Sequence, residues 1–308
     1  MATLKELSKK EILISPGHRA CAGCAFPVII KQALLAADNP VVVGCATGCM
    51  EVCTTIYPYT AWKVPFIHNA FENSAATISG VEAAYRVLSR KGKINKKIDF
   101  IAFGGDGGTY DIGFQSLSGA MERGHDMLYI CYDNGAYMNT GIQRSSATPR
   151  GANTTTSPVG EVSYGKKQYR KDLTATMVAH DIPYVAQASP HAWNDMVTKV
   201  KKALAVDGPS FINVIQPCVL GWRYPAEESI QMAKLAVDTC YWPLYEVENG
   251  EYKLTYKPKE KKPLVEWLRK QDRFRHLFTP ENEHLIEELQ ADVDKKWARL
   301  LAKCGVEA

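Results

Sequence analysis

The chain has 308 residues, of which 46% are hydrophobic and 23% are charged, enough for one large α/β domain or two small ones. Its net charge of +4 is too small to indicate nucleic-acid binding, and no basic stripe with interleaved aromatic residues is present. No apolar run reaches the roughly 18 residues that span a bilayer, and the first residues do not resemble a signal peptide, so we expect a cytoplasmic location without a membrane span.

Hydrophobic periodicity predicts helices and strands that alternate along the chain. The predicted helices, in chain order, cover residues 27–37, 73–88, 113–123, 191–206 and 281–301. The predicted strands cover residues 41–43, 100–103, 127–132 and 210–215. This alternation predicts an α/β fold with a parallel sheet. We expect a main domain over residues 1–250 and a charged C-terminal extension over residues 251–308. The polar stretch 148–169 is expected to be a loop over a site or a segment that a partner orders.

The clearest unit is a strand, a helix and a strand over residues 100–132. The first strand runs into the glycine-rich sequence Gly104-Gly-Asp-Gly-Gly108, and the second runs into Asp133-Asn134. A crossover of this length joins parallel strands, so both loops open at the same edge of the sheet. Ligands of open α/β sheets bind at that edge.

These two loops carry groups suited to a diphosphate and a divalent cation. Glycine residues allow the backbone to approach a phosphate closely. Mg²⁺ prefers oxygen ligands, which the Asp106 carboxylate, the Asn134 amide and the Ala136 carbonyl can supply. A tight turn without function is the alternative for the glycine run alone, and the Asp-Asn pair after the second strand favours the cation site.

Five of the nine cysteines lie between residues 21 and 53, which indicates metal binding or redox chemistry in an intracellular chain. Cys21 and Cys24 have the Cys-x-x-Cys spacing that binds one [4Fe–4S] cluster or one zinc ion. The spacing leaves the remaining ligands open. The candidates for them are Cys45, Cys49, Cys53 and Cys218.

The chain resembles the β subunits of pyruvate:ferredoxin oxidoreductase and related 2-oxoacid enzymes. The resemblance rests on HRACAGC, CATGC, TTIYPYTAW, FIHNAFENSAATISG, IQPC and the long run GDGGTYDIGFQSLSGAMERGHDMLYICYDNGAYMNTGIQRS. It extends from about residue 18 to residue 242. It implies an enzyme that breaks a carbon–carbon bond on thiamine diphosphate, in a fold of the thiamine-pyrophosphate-binding type, and passes electrons to ferredoxin through a [4Fe–4S] cluster.

The resemblance also assigns residues. It implies that Cys21, Cys24, Cys49 and Cys218 hold the cluster and that Asp106, Asn134 and the Ala136 carbonyl hold Mg²⁺. Asn139 becomes the catalytic residue that faces the thiazolium and the substrate, with Thr140 beside it. The residues implied to bind the cofactor are Gly105, Asp106, Gly107, Gly108, Asn134, Ala136, Asn139, Thr140 and Cys49.

The resemblance implies partners, because a glutamate that activates thiamine and further clusters are not identifiable here. We expect an α subunit with the pyrimidine-binding domain, a ferredoxin-like subunit and external ferredoxin. Gly135, Ile142 and Ala25 depart from the usual pattern, which keeps oxalate or another 2-oxoacid as alternative substrates to pyruvate. A non-redox thiamine enzyme with structural zinc and a non-catalytic cluster-binding subunit are the alternative classes.

Overall fold

The computed structural model describes residues 3–307 and is built on one eight-stranded sheet with a separate two-stranded hairpin. The strands are β1 (Val41–Ala46), β2 (Phe66–Asn69), β3 (Asp99–Gly105), β4 (Leu128–Asp133), β5 (Val159–Gly160), β6 (Ser163–Tyr164), β7 (Tyr184–Ala188), β8 (Ser210–Ile215), β9 (Leu244–Glu248) and β10 (Glu251–Tyr256). The helices are α1 (Leu4–Leu7), α2 (Phe26–Ala36), α3 (Cys49–Thr54), α4 (Ser74–Arg90), α5 (Phe114–Glu122), α6 (Leu173–Val178), α7 (Trp193–Ala205), α8 (Ser229–Asp238), α9 (Leu264–Arg269) and α10 (Glu283–Lys303).

The large sheet has the order β10-β9-β7-β8-β4-β3-β1-β2. The six strands from β7 to β2 pair in parallel, while β9 and β10 add an antiparallel edge. This arrangement confirms the predicted α/β fold with a parallel sheet. Strands β4 and β8 are buried at every residue, as expected for parallel strands that are covered on both faces.

Two apolar cores cover the two faces of the sheet. On one face, α2 and α7 contribute Ile29, Ile30 and Val197 against Val43 of β1 and Ile130 of β4. The other face packs under α4, α5 and α6. A third core joins α8, α9 and α10 around Trp222 and Trp267. Helices thus cover both faces of the sheet. Side chains that contact a ligand must therefore lie at the ends of the strands.

The five predicted helices and four predicted strands are all present, and the helix ends agree within two residues. The sequence reasoning missed four strands of the large sheet: β2, β7, β9 and β10. The charged extension begins with β10, which pairs with β9, and continues into α9 and α10 of the third core. A boundary at residue 250 would thus lie between two paired strands, and the domain division stays a prediction. Within residues 3–307, no helix is both long and apolar enough to cross a membrane.

Candidate active site

Four neighbouring parallel strands, β1, β3, β4 and β8, end at the same edge of the sheet. Their carboxyl ends lead into Thr47, Asp106, Asn134 and Gln216. The register places the glycine run of β3 beside the end of β4, with Gly105 opposite Tyr132. The chain thereby brings together the loops that the sequence predicted to meet, and it adds the loops after β1 and β8.

One shallow cleft at this edge collects every residue predicted to bind the cofactor. Its lining contains Cys49, Gly105, Asp106, Gly107, Gly108, Asn134, Ala136, Asn139 and Thr140. It also contains Thr47, Gly48, Phe71, Tyr132, Tyr137 and Met138, which the sequence reasoning did not single out. The cleft encloses only about 30 Å³, far less than the roughly 300–1,000 Å³ of pockets that bury a drug-sized ligand. Two larger cavities, of about 830 and 1,080 Å³, lie beside α10 and contain none of these residues.

Three oxygen atoms converge in the cleft, and we call them the oxygen triad: Asn134 Oδ1, Asp106 Oδ1 and the Ala136 carbonyl. Asn134 Oδ1 lies 2.9 Å from Asp106 Oδ1 and 2.8 Å from the Ala136 oxygen. Octahedral Mg²⁺ with bonds of roughly 2.0–2.1 Å separates neighbouring ligand oxygens by about 2.9 Å. The two distances from Asn134 Oδ1 are therefore those expected between neighbouring ligands of one divalent cation.

A rotated Asn134 amide would replace these oxygen–oxygen contacts with hydrogen bonds. It would also turn its oxygen against Gln216 Oε1, 2.9 Å away. In the present orientation Asn134 Nδ2 instead donates to Gln216 Oε1 at 2.9 Å. Gln216 is itself oriented, because its Nε2 donates to the Pro217 carbonyl at 3.1 Å. The Gln216 contact thus favours the orientation that points Asn134 Oδ1 at the other two oxygens.

The electrostatics of Asp106 suit a cation ligand. Its side chain is 1% exposed, and burial together with the neighbouring Asp133 carboxylate raises its pKa well above the usual value. Ser145 Oγ donates to Asp106 Oδ2 at 2.5 Å, and the Asn134 backbone N–H donates to Oδ1 at 3.3 Å. These two bonds stabilise the carboxylate and aim it, but they bring no positive charge. A bound cation would offset the cost of the buried charge.

The glycines of the cleft are required by close approach. A Cβ atom at Gly107 would lie 2.3 Å from the Tyr137 ring, and one at Gly108 would lie 2.9 Å from the Phe71 carbonyl. The Tyr137 hydroxyl also donates to the Gly107 carbonyl at 2.9 Å. Gly107 and Gly108 begin one turn of π-helix, Gly107–Asp111, directly after Asp106. Only glycine leaves this turn close to its neighbours and open to a phosphate.

A buried ion pair supports the β4 end from below. Arg170 Nη2 donates to Asp133 Oδ2 at 2.7 Å, and the Tyr110 hydroxyl donates to the same oxygen at 2.6 Å. Burial opposes the charge of Arg170, but Asp133, Tyr110 and Tyr241 together outweigh burial and raise the pKa of the guanidinium. Asp133 Oδ1 accepts from the Gly135 N–H at 3.0 Å, which shapes the turn that carries Asn134.

Part of the polar stretch 148–169 packs against its own chain, while nine of its 22 residues are exposed. Lys166 is 1% exposed, and its Nζ donates to the carbonyls of Ser145, Ser146 and Thr148 at 3.2, 3.1 and 2.6 Å. These carbonyls belong to the turn that places Ser145 on Asp106. The stretch therefore has a supporting role below the cleft, a role that its composition alone did not predict.

Five cysteines form a second group at the same edge, which we call the cysteine group: Cys21, Cys24, Cys49, Cys53 and Cys218. The pKa of Cys24 is raised to about 12, chiefly by burial and to a smaller extent by the neighbouring Cys218, Cys21 and Cys53. Burial likewise raises the pKa of Cys49, with contributions from the other four members. Cys24 and Cys49 therefore each lie within electrostatic range of the other four members of the group.

The thiols of this group also receive hydrogen bonds. The Gly221 N–H donates to Cys218 Sγ at 3.3 Å, and Gln216 Nε2 donates to Cys24 Sγ at 3.3 Å. Cys45 lies fully buried in β1, where its Sγ donates to the Ala46 carbonyl.

Within residues 3–307, no three His, Cys, Asp or Glu side chains are arranged to hold a single metal ion. Thiolates around one zinc ion would lie roughly 3.8 Å apart, given a Zn–S bond of about 2.3 Å.

The predicted catalytic residue Asn139 lies exposed at the cleft, and its side chain makes no hydrogen bond within the described residues. Thr140 Oγ1 donates to Gln143 Oε1 at 2.5 Å and is also exposed. Both are available to a ligand in the cleft.

Sequence reasoning missed four supporting residues: Tyr110, Ser145, Arg170 and Gln216. Only Gln216 had a signal, since it directly follows a predicted buried strand.

Comparison with known proteins identifies the relatives of this chain. Residues 42–214 match the family described as thiamine pyrophosphate enzyme, C-terminal TPP binding domain. The chain is 55% identical to pyruvate synthase subunit PorB of Thermotoga maritima over 96% of this chain and 94% of the relative. It is 56% identical to the PorB subunit of Methanocaldococcus jannaschii over 93% of this chain and 96% of the relative.

The chain belongs to the family of β subunits of 2-oxoacid:ferredoxin oxidoreductases. This family includes the ketoisovalerate oxidoreductase subunit VorB of Pyrococcus abyssi, which is 45% identical over 92% of this chain and 91% of its own length. The fold is shared with 2-oxoglutarate:ferredoxin oxidoreductase from Magnetococcus marinus, with a TM-score of 0.55 and 20% identity over 72% of this chain and 79% of that one. The chain is thus an oxidoreductase subunit with a thiamine pyrophosphate binding domain.

Proposed function

We propose that this β subunit takes part in the oxidative decarboxylation of pyruvate to acetyl-CoA and CO₂, with the electrons passed to ferredoxin. One observation carries the proposal: the oxygen triad and the cysteine group lie at one sheet edge and share Gln216 as a neighbour. A site for a cation and diphosphate beside a thiol cluster suits carbon–carbon cleavage coupled to electron transfer. The names of the PorB relatives support pyruvate, and the VorB relative makes a branched 2-oxoacid the competing substrate.

The oxygen triad would hold Mg²⁺ against the diphosphate of the cofactor, over the close-packed Gly107 and Gly108. Thiamine diphosphate, when bound, supplies the carbanion stabilisation needed to cleave the bond beside a carbonyl. Asn139 would direct its amide N–H groups at the substrate oxygen and stabilise the charge that develops there. Its exposure at the cleft, with no partner among the described residues, supports this role.

The cysteine group would hold one [4Fe–4S] cluster through Cys21, Cys24, Cys49 and Cys218. Cys53 is a fifth thiol at the group, and we assign it no ligand role. Burial keeps the pKa values of Cys24, Cys49 and Cys218 high, so iron binding would have to displace their protons. All nine cysteines lie in the described residues and are free thiols, which supports a reducing, cytoplasmic location.

The site needs partner chains. The cleft of about 30 Å³ is too small to enclose thiamine diphosphate. Its open side would be closed by an α subunit that contributes the pyrimidine-binding domain and its activating glutamate. Cys21 is exposed, so the cluster would lie near the surface and could pass electrons to a ferredoxin-like subunit and then to external ferredoxin.

The test is a substrate panel on the assembled, anaerobically purified complex. Reduction of a dye is followed with pyruvate, 2-oxoglutarate, 2-oxoisovalerate or oxalate, each with and without coenzyme A. We expect the highest rate with pyruvate and a requirement for coenzyme A. Preference for 2-oxoisovalerate would refute the pyruvate assignment, and turnover of oxalate without coenzyme A would favour the oxalate alternative. Zinc in place of iron, with decarboxylation but no dye reduction, would favour a non-redox enzyme.

A further inference from the structure

One buried side chain contacts both the oxygen triad and the cysteine group. Gln216 follows β8 and is 2% exposed. Its Nε2 donates to Cys24 Sγ at 3.3 Å, and its Oε1 accepts from Asn134 Nδ2 at 2.9 Å. Its backbone N–H donates to the Asp133 carbonyl at 2.7 Å, which ties the β8 end to the β4 end. Two hydrogen bonds of Gln216 therefore connect a candidate cluster ligand, Cys24, to a candidate cation ligand, Asn134.

The chemistry of the amide fixes the direction of both contacts. A glutamine side chain has one end that donates and one that accepts. Pro217 provides a carbonyl 3.1 Å from Nε2, so the donor end faces Pro217 and Cys24. The acceptor end, Oε1, then faces Asn134 and accepts a hydrogen bond from its Nδ2. The Asn134 oxygen is consequently turned toward Asp106 and Ala136.

We propose that Gln216 is a positioning residue that couples the cluster to the cation site. The proposal rests on the proposed function, because it needs a cluster on Cys24 and Mg²⁺ on Asn134. An N–H bond to a ligating sulfur stabilises the more negative, reduced cluster and raises its reduction potential. A residue that orients a metal ligand typically changes metal affinity by roughly 10–100-fold. Both effects pass through one amide, so occupancy of the cation site influences the potential of the cluster, and the reverse holds by linkage.

The variant that tests this coupling is Gln216→Met, which has similar length but no donor and only a weakly accepting sulfur. Gln216→Asn keeps an amide that is one methylene shorter and guards against misfolding of the first variant. The matched control is Gln187→Met on the neighbouring strand β7. Gln187 is also a buried glutamine, and it bonds the Pro243 carbonyl at 2.9 Å and Thr174 at 3.0 Å. It contacts neither group of the candidate site.

Two measurements are made on the assembled complex. The first is a redox titration followed by electron paramagnetic resonance, with and without thiamine diphosphate and Mg²⁺. The second is the Mg²⁺-dependent affinity for thiamine diphosphate, by calorimetry. We expect both Gln216 variants to lower the cluster potential and to weaken the affinity about tenfold. The difference in potential between loaded and cofactor-free complex should shrink in these variants. Gln187→Met should leave all three quantities unchanged.

The outcomes separate the coupling from the function on which it rests. If the wild-type complex binds the cofactor and contains the cluster, but the Gln216 variants keep the wild-type potential and affinity, the coupling is overturned and the function stands. A wild-type potential that does not respond to the cofactor overturns the coupling even where a variant fails to assemble. A wild-type complex that lacks the cluster, or does not bind thiamine diphosphate, overturns both.

Discussion

Replacing Asp106 with Asn is expected to have opposite effects on the cofactor-free and the cofactor-bound protein. In the cofactor-free chain, the Asp106 carboxylate is buried beside Asp133, and both facts raise its pKa. Asn has the same shape without the charge. Its amide can still bond Ser145, because a hydroxyl both donates and accepts. The cofactor-free variant should therefore be more stable, while it loses the charged ligand of Mg²⁺.

The sizes of the two effects follow from the loss of the buried charge and from the loss of cofactor binding. Removing an incompletely compensated buried charge should raise the free energy of unfolding by about 1–3 kcal/mol, the range for desolvated buried polar groups. At roughly 2 °C per kcal/mol for a chain of this size, the cofactor-free melting temperature should rise by about 2–6 °C. A ligand at 100 times its Kd stabilises a protein by about 2.7 kcal/mol. Wild type should gain this from Mg²⁺ and thiamine diphosphate, and Asp106→Asn should not.

Thermal unfolding of the full chain, followed by tryptophan fluorescence with and without the cofactor, measures both effects. The matched control is Asp111→Asn. Asp111 is the last residue of the π-helical turn that follows Asp106. It accepts from the Ser146 N–H at 2.9 Å, but it is not part of the oxygen triad. The control should keep the cofactor shift. A wild-type cofactor shift in Asp106→Asn would falsify its role as a ligand, and lower stability without cofactor would refute the buried-charge argument.

Three further outcomes are expected from single substitutions. Cys218→Ser should lose the roughly four irons of one [4Fe–4S] cluster per chain, while Cys240→Ser keeps them; full iron content in Cys218→Ser would contradict the ligand set. Gly107→Ala would bring its Cβ to 2.3 Å from the Tyr137 ring, so calorimetry should show weaker cofactor binding with iron retained. Ile142 has a φ of 64°, and Ile142→Asn should raise the free energy of unfolding in urea by up to about 1 kcal/mol, because Asn tolerates left-handed backbone better; a decrease would refute the strain.

The central unit of the fold could be predicted from local patterns. Strand β3, helix α5 and strand β4 each show a strong apolar period, and glycine residues mark their ends. The rule that parallel strands end at one edge then placed Asp106 beside Asn134 without any structure. Strands β9 and β10 were missed because their sequences mix charged and aromatic residues, and their pairing with each other and with β7 is not a local property.

The supporting residues of the site could not be predicted, for a physical reason. Ser145 and Arg170 reach their carboxylates across 39 and 37 residues of sequence. Neither has a local motif, and each becomes informative only when the fold brings it to a buried charge. The departure at Ile142 is different. It was visible as an unusual residue type, but the left-handed backbone that makes Gly or Asn the better choice there is a property of the folded turn.

The same topology accounts for the meeting of cysteines that are far apart in sequence. Cys24 precedes α2, Cys49 follows β1, and Cys218 follows β8, so 169 residues separate the last two. The sheet order places β4 and β3 between β8 and β1, and β4 and β3 carry Asn134 and Asp106 at their ends. A cluster held by Cys49 and Cys218 would therefore lie at the sheet edge where β3 and β4 present the predicted cation ligands. The proposed electron transfer would then need no long path, because the fold that brings the cysteine group together also places it near the oxygen triad.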